Sequence, residues 1–172
     1  MNAALPELEP PQLEALPDED LHVDEPQVQL VTFHLHDETY GIDVMQVQEV
    51  LRVGEIAPVP GAPDFVLGII NLRGNVVTVI DTRRRFGLPP KDADELSRIV
   101  IIECEKQVVG ILVDAVSEVV ELGQSEIDSA PNAGGEETSR YIQGVVTRPD
   151  GLLILVDLER LLDEGGGQAA LF

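Results

Sequence analysis

Few residues of this chain are equipped for chemistry: His22, His34 and His36, the single Cys104, and the arginines Arg73, Arg83, Arg84 and Arg85. His34 and His36 stand two apart in an alternating segment, which puts both imidazoles on one strand face where they could ligate a metal. Two ligands make no zinc site, and at least one more would be needed, for which Glu103 and Glu105 on the matching second-half strand are candidates. A metal-dependent enzyme using His34 and His36 is therefore a distant alternative, and a solvated polar face is the simpler reading. Cys104 falls at an inward strand position and reads as a buried thiol. A lone cysteine leaves no internal disulfide and no cysteine-based zinc site. The chain has no phosphate-cradling GxxxxGK[ST] loop, no GxSxG elbow, no HExxH and no GxGxxG. Acids are so abundant that paired carboxylates carry no signal. These residues point to a protein that is not an enzyme and needs no cofactor.

The arginines are more informative. Arg73 lies in the turn Asn71-Leu72-Arg73-Gly74 between two apolar strands. The backbone of such a turn explains Asn71 and Gly74, but it does not call for Arg. Arg73 therefore needs a carboxylate, and Glu49 is the candidate for a structural ion pair. Arg83, Arg84 and Arg85 fall in a short helix, where they fan out and at most two share a face. They form a possible docking patch for an acidic or polar partner, with surface solubilisation as the alternative.

The elements that must hold these groups are mostly strands. Hydrophobic residues make up 44% of the 172 residues and aromatics 3%, with no Trp, so the core rests on Val, Ile and Leu, which suit strands. The formal charge of −21 repels phosphates, which argues against nucleic acid and against an anionic membrane surface. Residues 1–27 have no Lys or Arg, many acids and five prolines, and read as a disordered acidic N-terminal arm. No signal-peptide pattern and no spanning apolar stretch is present, so the expected location is cytoplasmic.

Between the tails the chain repeats itself. Val31, Phe33 and Leu35 alternate with Thr32, His34 and His36, as in a half-buried strand, and Val100, Ile102 and Cys104 repeat the pattern. GIDVMQVQEV from Gly41 matches GILVDAVSEV from Gly110, and GIINLRGNVVTVID from Gly68 matches GVVTRPDGLLILVD from Gly144. Offsets of about 69 and 76 positions, in the same order, indicate an internal duplication of a turn-rich β unit. The expected repeats are 28–87 and 98–162, joined by a linker at 88–97, with a loop at 131–139 and a flexible tail at 163–172. Asp81 is expected to cap a helix at 82–86, and Asp157 one at 158–162. Asp43 with Gln46 has the spacing of a capping box, which predicts a helix with Val44, Val47 and Leu51 on one face and Glu49 on the polar side. Its counterpart, residues 112–122, is richer in Val and expected to stay extended.

From Val28 to Leu162 the sequence resembles the CheW family. The resemblance is carried by TYGIDVMQVQEV from Thr39, PGAPDFVLGIINLRG from Pro60, VVTVIDTRRRFG from Val76, VVGILVDAVSEVV from Val108, and YIQGVV with LLILVDLERLL toward the end. Thr78 stands where Pro is common in the family, and Thr82 where Leu is common. The resemblance implies an all-β fold of two SH3-like five-stranded β-barrel lobes with a few short helices and a shared hydrophobic core. It implies a non-catalytic signalling adaptor of bacterial chemotaxis that binds the regulatory domain of a CheA-type histidine kinase and the cytoplasmic tip of chemoreceptors. Such an adaptor is recruited to receptor arrays at the inner face of the membrane. A twitching-motility or other kinase pathway is the alternative within that class. Val47, Glu49 and Arg73 match motif positions associated with receptor binding and function.

Overall fold

A computed structural model describes residues 25–129 and 140–163. Residues 1–24 of the expected arm, the whole of the expected loop and all but the first residue of the expected tail lie outside these. Eleven strands build two sheets. The six-stranded sheet runs β8 (Ala115–Gly123), β1 (Gln27–Leu35), β2 (Glu38–Asp43), β11 (Gly151–Val156), β10 (Ile142–Arg148), β9 (Asp128–Ser129). The five-stranded sheet runs β3 (Val47–Arg52), β6 (Arg98–Cys104), β7 (Gln107–Val113), β5 (Asn75–Asp81), β4 (Val66–Leu72). Neighbours are antiparallel except β2 with β11 and β5 with β7, which are parallel.

The duplication is visible as matched registers. Gly41 faces Thr32 on one side and Leu155 on the other, and Gly110 faces Ile101 and Val79 in the same manner. Each half also folds its last strand back alike: Asp81 N–H donates to Phe65 O at 2.7 Å, and Asp157 N–H to Tyr141 O at 2.8 Å. The lobes, however, are not the repeats. All five strands of the smaller sheet come from residues 47–113, while the larger one draws β1 and β2 from the first repeat and the rest from the second. The linker at 88–97 therefore runs within the five-stranded lobe, between β5 and β6, and does not separate the lobes.

Three cores follow from this arrangement. Leu30, Val120, Leu122, Val146, Leu153 and Leu155 fill the six-stranded lobe. Val77, Val79, Ile99 and Ile101 fill the five-stranded one. Between them lies the largest, with Phe33, Leu35, Tyr40 and Ile42 meeting Val100, Ile102, Ile111 and Val113. Strands β1 and β6 thus bury both faces over part of their length. That corrects the half-buried reading of β1: Thr32 is buried, and its hydroxyl donates to Glu118 O at 2.7 Å.

Two short helices close the repeats. In α1 (Thr82–Arg85) the Asp81 carboxylate caps the N–H groups of Arg83 and Arg84 at 3.1 and 3.4 Å. In α2 (Leu158–Asp163) Asp157 Oδ1 accepts from Arg160 N–H at 3.2 Å. The helix expected after Asp43 does not form. Asp43 does cap Met45 N–H at 2.9 Å, but only a single 3-10 turn, residues 44–46, follows before β3 begins. Val47, Val50 and Leu51 gain more by pairing with β6 and packing than local helix signals can supply.

The folded domain, too, begins earlier than the composition suggests. Ser125 N–H donates to Glu25 Oε2 at 2.8 Å and Gln124 N–H to Pro26 O at 3.0 Å, which ties residues 25–27 to the end of β8.

One polar atom inside α1 is left over. Thr82 is buried, and its Oγ1 is the one buried side-chain N or O among the described residues with no hydrogen-bond partner. A buried hydroxyl without a partner costs about 1–3 kcal/mol relative to an apolar group of the same shape. Thr82→Val keeps the shape and removes the hydroxyl. It is expected to raise the midpoint of thermal unfolding by about 2–6 °C. An unchanged or lowered midpoint in a melting curve would show that the hydroxyl is satisfied in solution.

Candidate docking site

The hairpin of β4 and β5 turns through two residues, Arg73 and Gly74, with φ of 53° and 90°. Positive φ at both central positions matches the right-handed twist of the flanking strands, and it favours Asn, Asp or Gly over a long side chain. Asn71 stabilises the turn by accepting Gly74 N–H at 2.9 Å. Arg73 is held in this left-handed conformation with its side chain 72% exposed.

A bulge on β3 brings its partner into place. Val47 pairs with Ile102, but Glu49 pairs with Ile101, so residues 47 and 49 end on opposite faces. Val47 packs against the core between the lobes. Glu49, 27% exposed, meets Arg73 in a forked pair: Nη2 donates to Oε2, and Nη1 to Oε1 at 3.4 Å. The hydrogen bonds and negative charge of Glu49 push the Arg73 pKa further up. β3 and β4 are the two edges of the five-stranded sheet, so this pair joins edge to edge. An isolated bridge between Ala57 and Ile69 continues the junction. Of the three residues singled out from the sequence, Glu49 and Arg73 come together and Val47 does not join them. Gln48, which sequence reasoning passed over, sits in the bulge and donates to Glu103 Oε1 at 2.7 Å.

The arginine run of α1 does not form the patch that its composition suggests. Arg83 is buried and forked on Asp114, Nε to Oδ1 at 2.9 Å and Nη2 to Oδ2 at 2.6 Å, and it also donates to Pro89 O at 2.6 Å. Arg85 lies over the Phe65 ring at 4.1 Å and the Tyr141 ring at 5.2 Å and donates to Leu161 O at 3.1 Å. It thus staples the end of one repeat to the end of the other. Only Arg84 keeps an exposed position. A four-residue helix wedged between lobes has little free face, so two of its three arginines turn inward.

The candidate metal ligands are also apart in role. β1 ends at Leu35, and His36 sits in the following turn with φ of 58°, so it does not share a strand face with His34. His34 Nδ1 pairs with Thr39 Oγ1 at 3.3 Å, and Glu103 is engaged by Gln48. Among the described residues no group of three or more His, Cys, Asp or Glu is placed to hold a metal. Cys104 is buried, and burial pushes its thiol pKa up, away from the reactive thiolate. No helix among the described residues is long and apolar enough to cross a membrane.

Two SH3-like β lobes thus pack around a shared core, with an ion-paired turn displayed at a sheet edge. The comparisons agree. The CheW-like domain profile matches residues 29–165, and the chain belongs to that family. It is 37% identical to the chemotaxis protein CheW of Treponema pallidum over 81% of this chain and 84% of that one. It is 34% identical to the chemotaxis protein CheW of Bacillus subtilis over 82% and 90%. In three dimensions it is similar to the scaffolding protein TtCheW from Thermoanaerobacter tengcongensis, with a TM-score of 0.73 and 34% identity over 79% of this chain and 92% of the other.

Proposed function

We propose that this chain is a non-catalytic adaptor that couples the cytoplasmic tips of chemoreceptors to a CheA-type histidine kinase, working in the cytoplasm at receptor arrays. Membership of the CheW-like family supports the class. The observation that carries the receptor contact is the exposed Arg73–Glu49 pair. An ion pair standing in solvent adds little to folding. Yet Arg73 is kept in a turn conformation that disfavours it. A surface role explains both facts, and a forked guanidinium is suited to meeting a polar partner surface.

The test is binding of purified chain to a receptor cytoplasmic fragment. Arg73→Ala and Glu49→Ala are each expected to weaken binding about tenfold, and the double variant to lose less than the product of the two, since the pair acts as a unit. All three are expected to melt within about 2 °C of the parent, as exposed pairs allow. Unchanged affinity in both single variants would remove the receptor reading from this site. Multiplicative losses would mean that the two residues act separately.

A further inference from the structure

Charge is divided unevenly between the lobes. Residues 47–113, which supply the whole five-stranded sheet, hold nine Asp or Glu and eight Lys or Arg, a net of −1. The rest of the chain holds 23 acids against three arginines, so −20 of the −21 lies with the six-stranded lobe and the termini. Seven of those acids, Glu7 through Asp24, precede the first described residue, and no Lys or Arg accompanies them.

Within the near-neutral lobe two cations face each other. Arg52 ends β3 directly opposite Arg98, which begins β6. Like charges in register repel. Arg98 donates to the carbonyls of Glu95 and Ser97, each at 2.8 Å. Among the described residues no carboxylate pairs with either guanidinium. The matching positions in the six-stranded lobe are Gln29 and Glu121, also opposite each other. So the couple is not a requirement of the fold. β3 is an edge strand, and Val50 beside Arg52 is 40% exposed.

We propose that the acidic segment 1–24 docks in cis on the Arg52–Arg98 couple and covers the outer face of β3, as a tethered competitor for acidic partners of that face. Its root is fixed at Glu25 on the lobe that repels it, by the Ser125 bond. Twenty-four residues reach about 80 Å when extended and roughly 27 Å as a coil, enough to cross a lobe. A tether of that length keeps the local concentration of the segment near the millimolar range, so modest charge attraction suffices. This goes beyond the receptor and kinase reading and does not depend on it.

The test uses the full chain with a nitroxide on Asp18→Cys; Cys104 is buried and does not compete for the label. At about 20 mM salt, amide signals of residues 50–52 and 98–100 are expected to lose about half their intensity or more, and to recover at about 0.5 M salt, where charges are screened within a few ångströms. Arg52→Gln with Arg98→Gln is expected to abolish the loss. No broadening, broadening spread evenly over both sheets, or broadening that survives the double substitution would overturn the proposal. Mixing labelled unenriched chain with unlabelled isotope-enriched chain separates cis from trans. Broadening of equal size in that mixture would also overturn it.

Discussion

Gly68→Ala is expected to cost most of the stability of the five-stranded lobe. A Cβ at this position would sit 2.1 Å from Ala57 O and 2.9 Å from Ile56 Cγ2. The first of these is backbone, so it cannot swing aside. Moving it breaks the two bonds that hold the segment after β3 to β4, Ile69 N–H to Ala57 O at 2.8 Å and Ala57 N–H to Ile69 O at 2.9 Å. It also opens the edge junction that Arg73 and Glu49 continue. A cost above about 4 kcal/mol is expected, a fall of about 10 °C or more in the melting midpoint. Gly144→Ala, at the matching bulge, meets Asp128 O at 2.7 Å and should cost less. Gly54→Ala meets nothing within 4 Å and should be nearly neutral. If Gly68→Ala melts like Gly54→Ala, the close approach of β4 to residue 57 is absent in solution.

The second large effect is expected at Arg83 and Asp114, whose side chains are 10% and 19% exposed. Asp114 also accepts His36 N–H at 2.9 Å, so one carboxylate ties α1, the β1–β2 turn and the start of β8 together. Removing one partner leaves the other charge largely buried and unpaired, at a cost of about 3–5 kcal/mol. Arg83→Met and Asp114→Asn are therefore each expected to lower the midpoint by about 6–15 °C, with the double variant falling less than their sum. Burial pushes the Asp114 pKa up, but the Arg83 and His36 hydrogen bonds and the Arg83 charge outweigh it, and the net direction is down. A carboxyl depressed in the folded state stabilises above its unfolded value and loses that contribution as pH falls through the folded one. The gap between parent and Asp114→Asn should thus be full at pH 7 and narrow well below about 4. A gap independent of pH would assign the loss to packing.

The two halves differ in how openly the sequence announces them. Strand positions were readable because inward and outward residues alternate and because Gly41 and Gly110, or Gly68 and Gly144, recur in matching strings. The Arg73–Glu49 pair was readable for a different reason: a turn that needs only Asn71 and Gly74 left one side chain unexplained. Partnership between distant strands leaves no such mark. Nothing in β1 or β2 says that they pair with β8 and β11, so the division of the first repeat between two lobes leaves no trace in the sequence. The cap at Asp43 is a genuine local signal, but it yields to the pairing of β3 with β6. Arg83 and Arg85 looked like surface because their partners, Asp114, Phe65, Tyr141 and Leu161, lie far off in sequence and are brought in by the fold.

The nesting of one lobe inside the other has a consequence for the order in which the protein can form. A chain made from its N-terminus delivers β3 through β7 as an unbroken stretch, so the inner lobe can pair all its strands once residue 113 has emerged. The hairpin of β1 and β2 is made first but must wait for β8, and then for β11 ending at Val156. Until then Phe33, Leu35 and Tyr40 lack Ile154, Val156 and Leu161, which complete the shared core. The outer lobe thus closes over an inner lobe whose strands have all been delivered. Such long-range closure is intrinsically slow, so the N-terminal hairpin is the part of a newborn chain most open to mispairing with a neighbour.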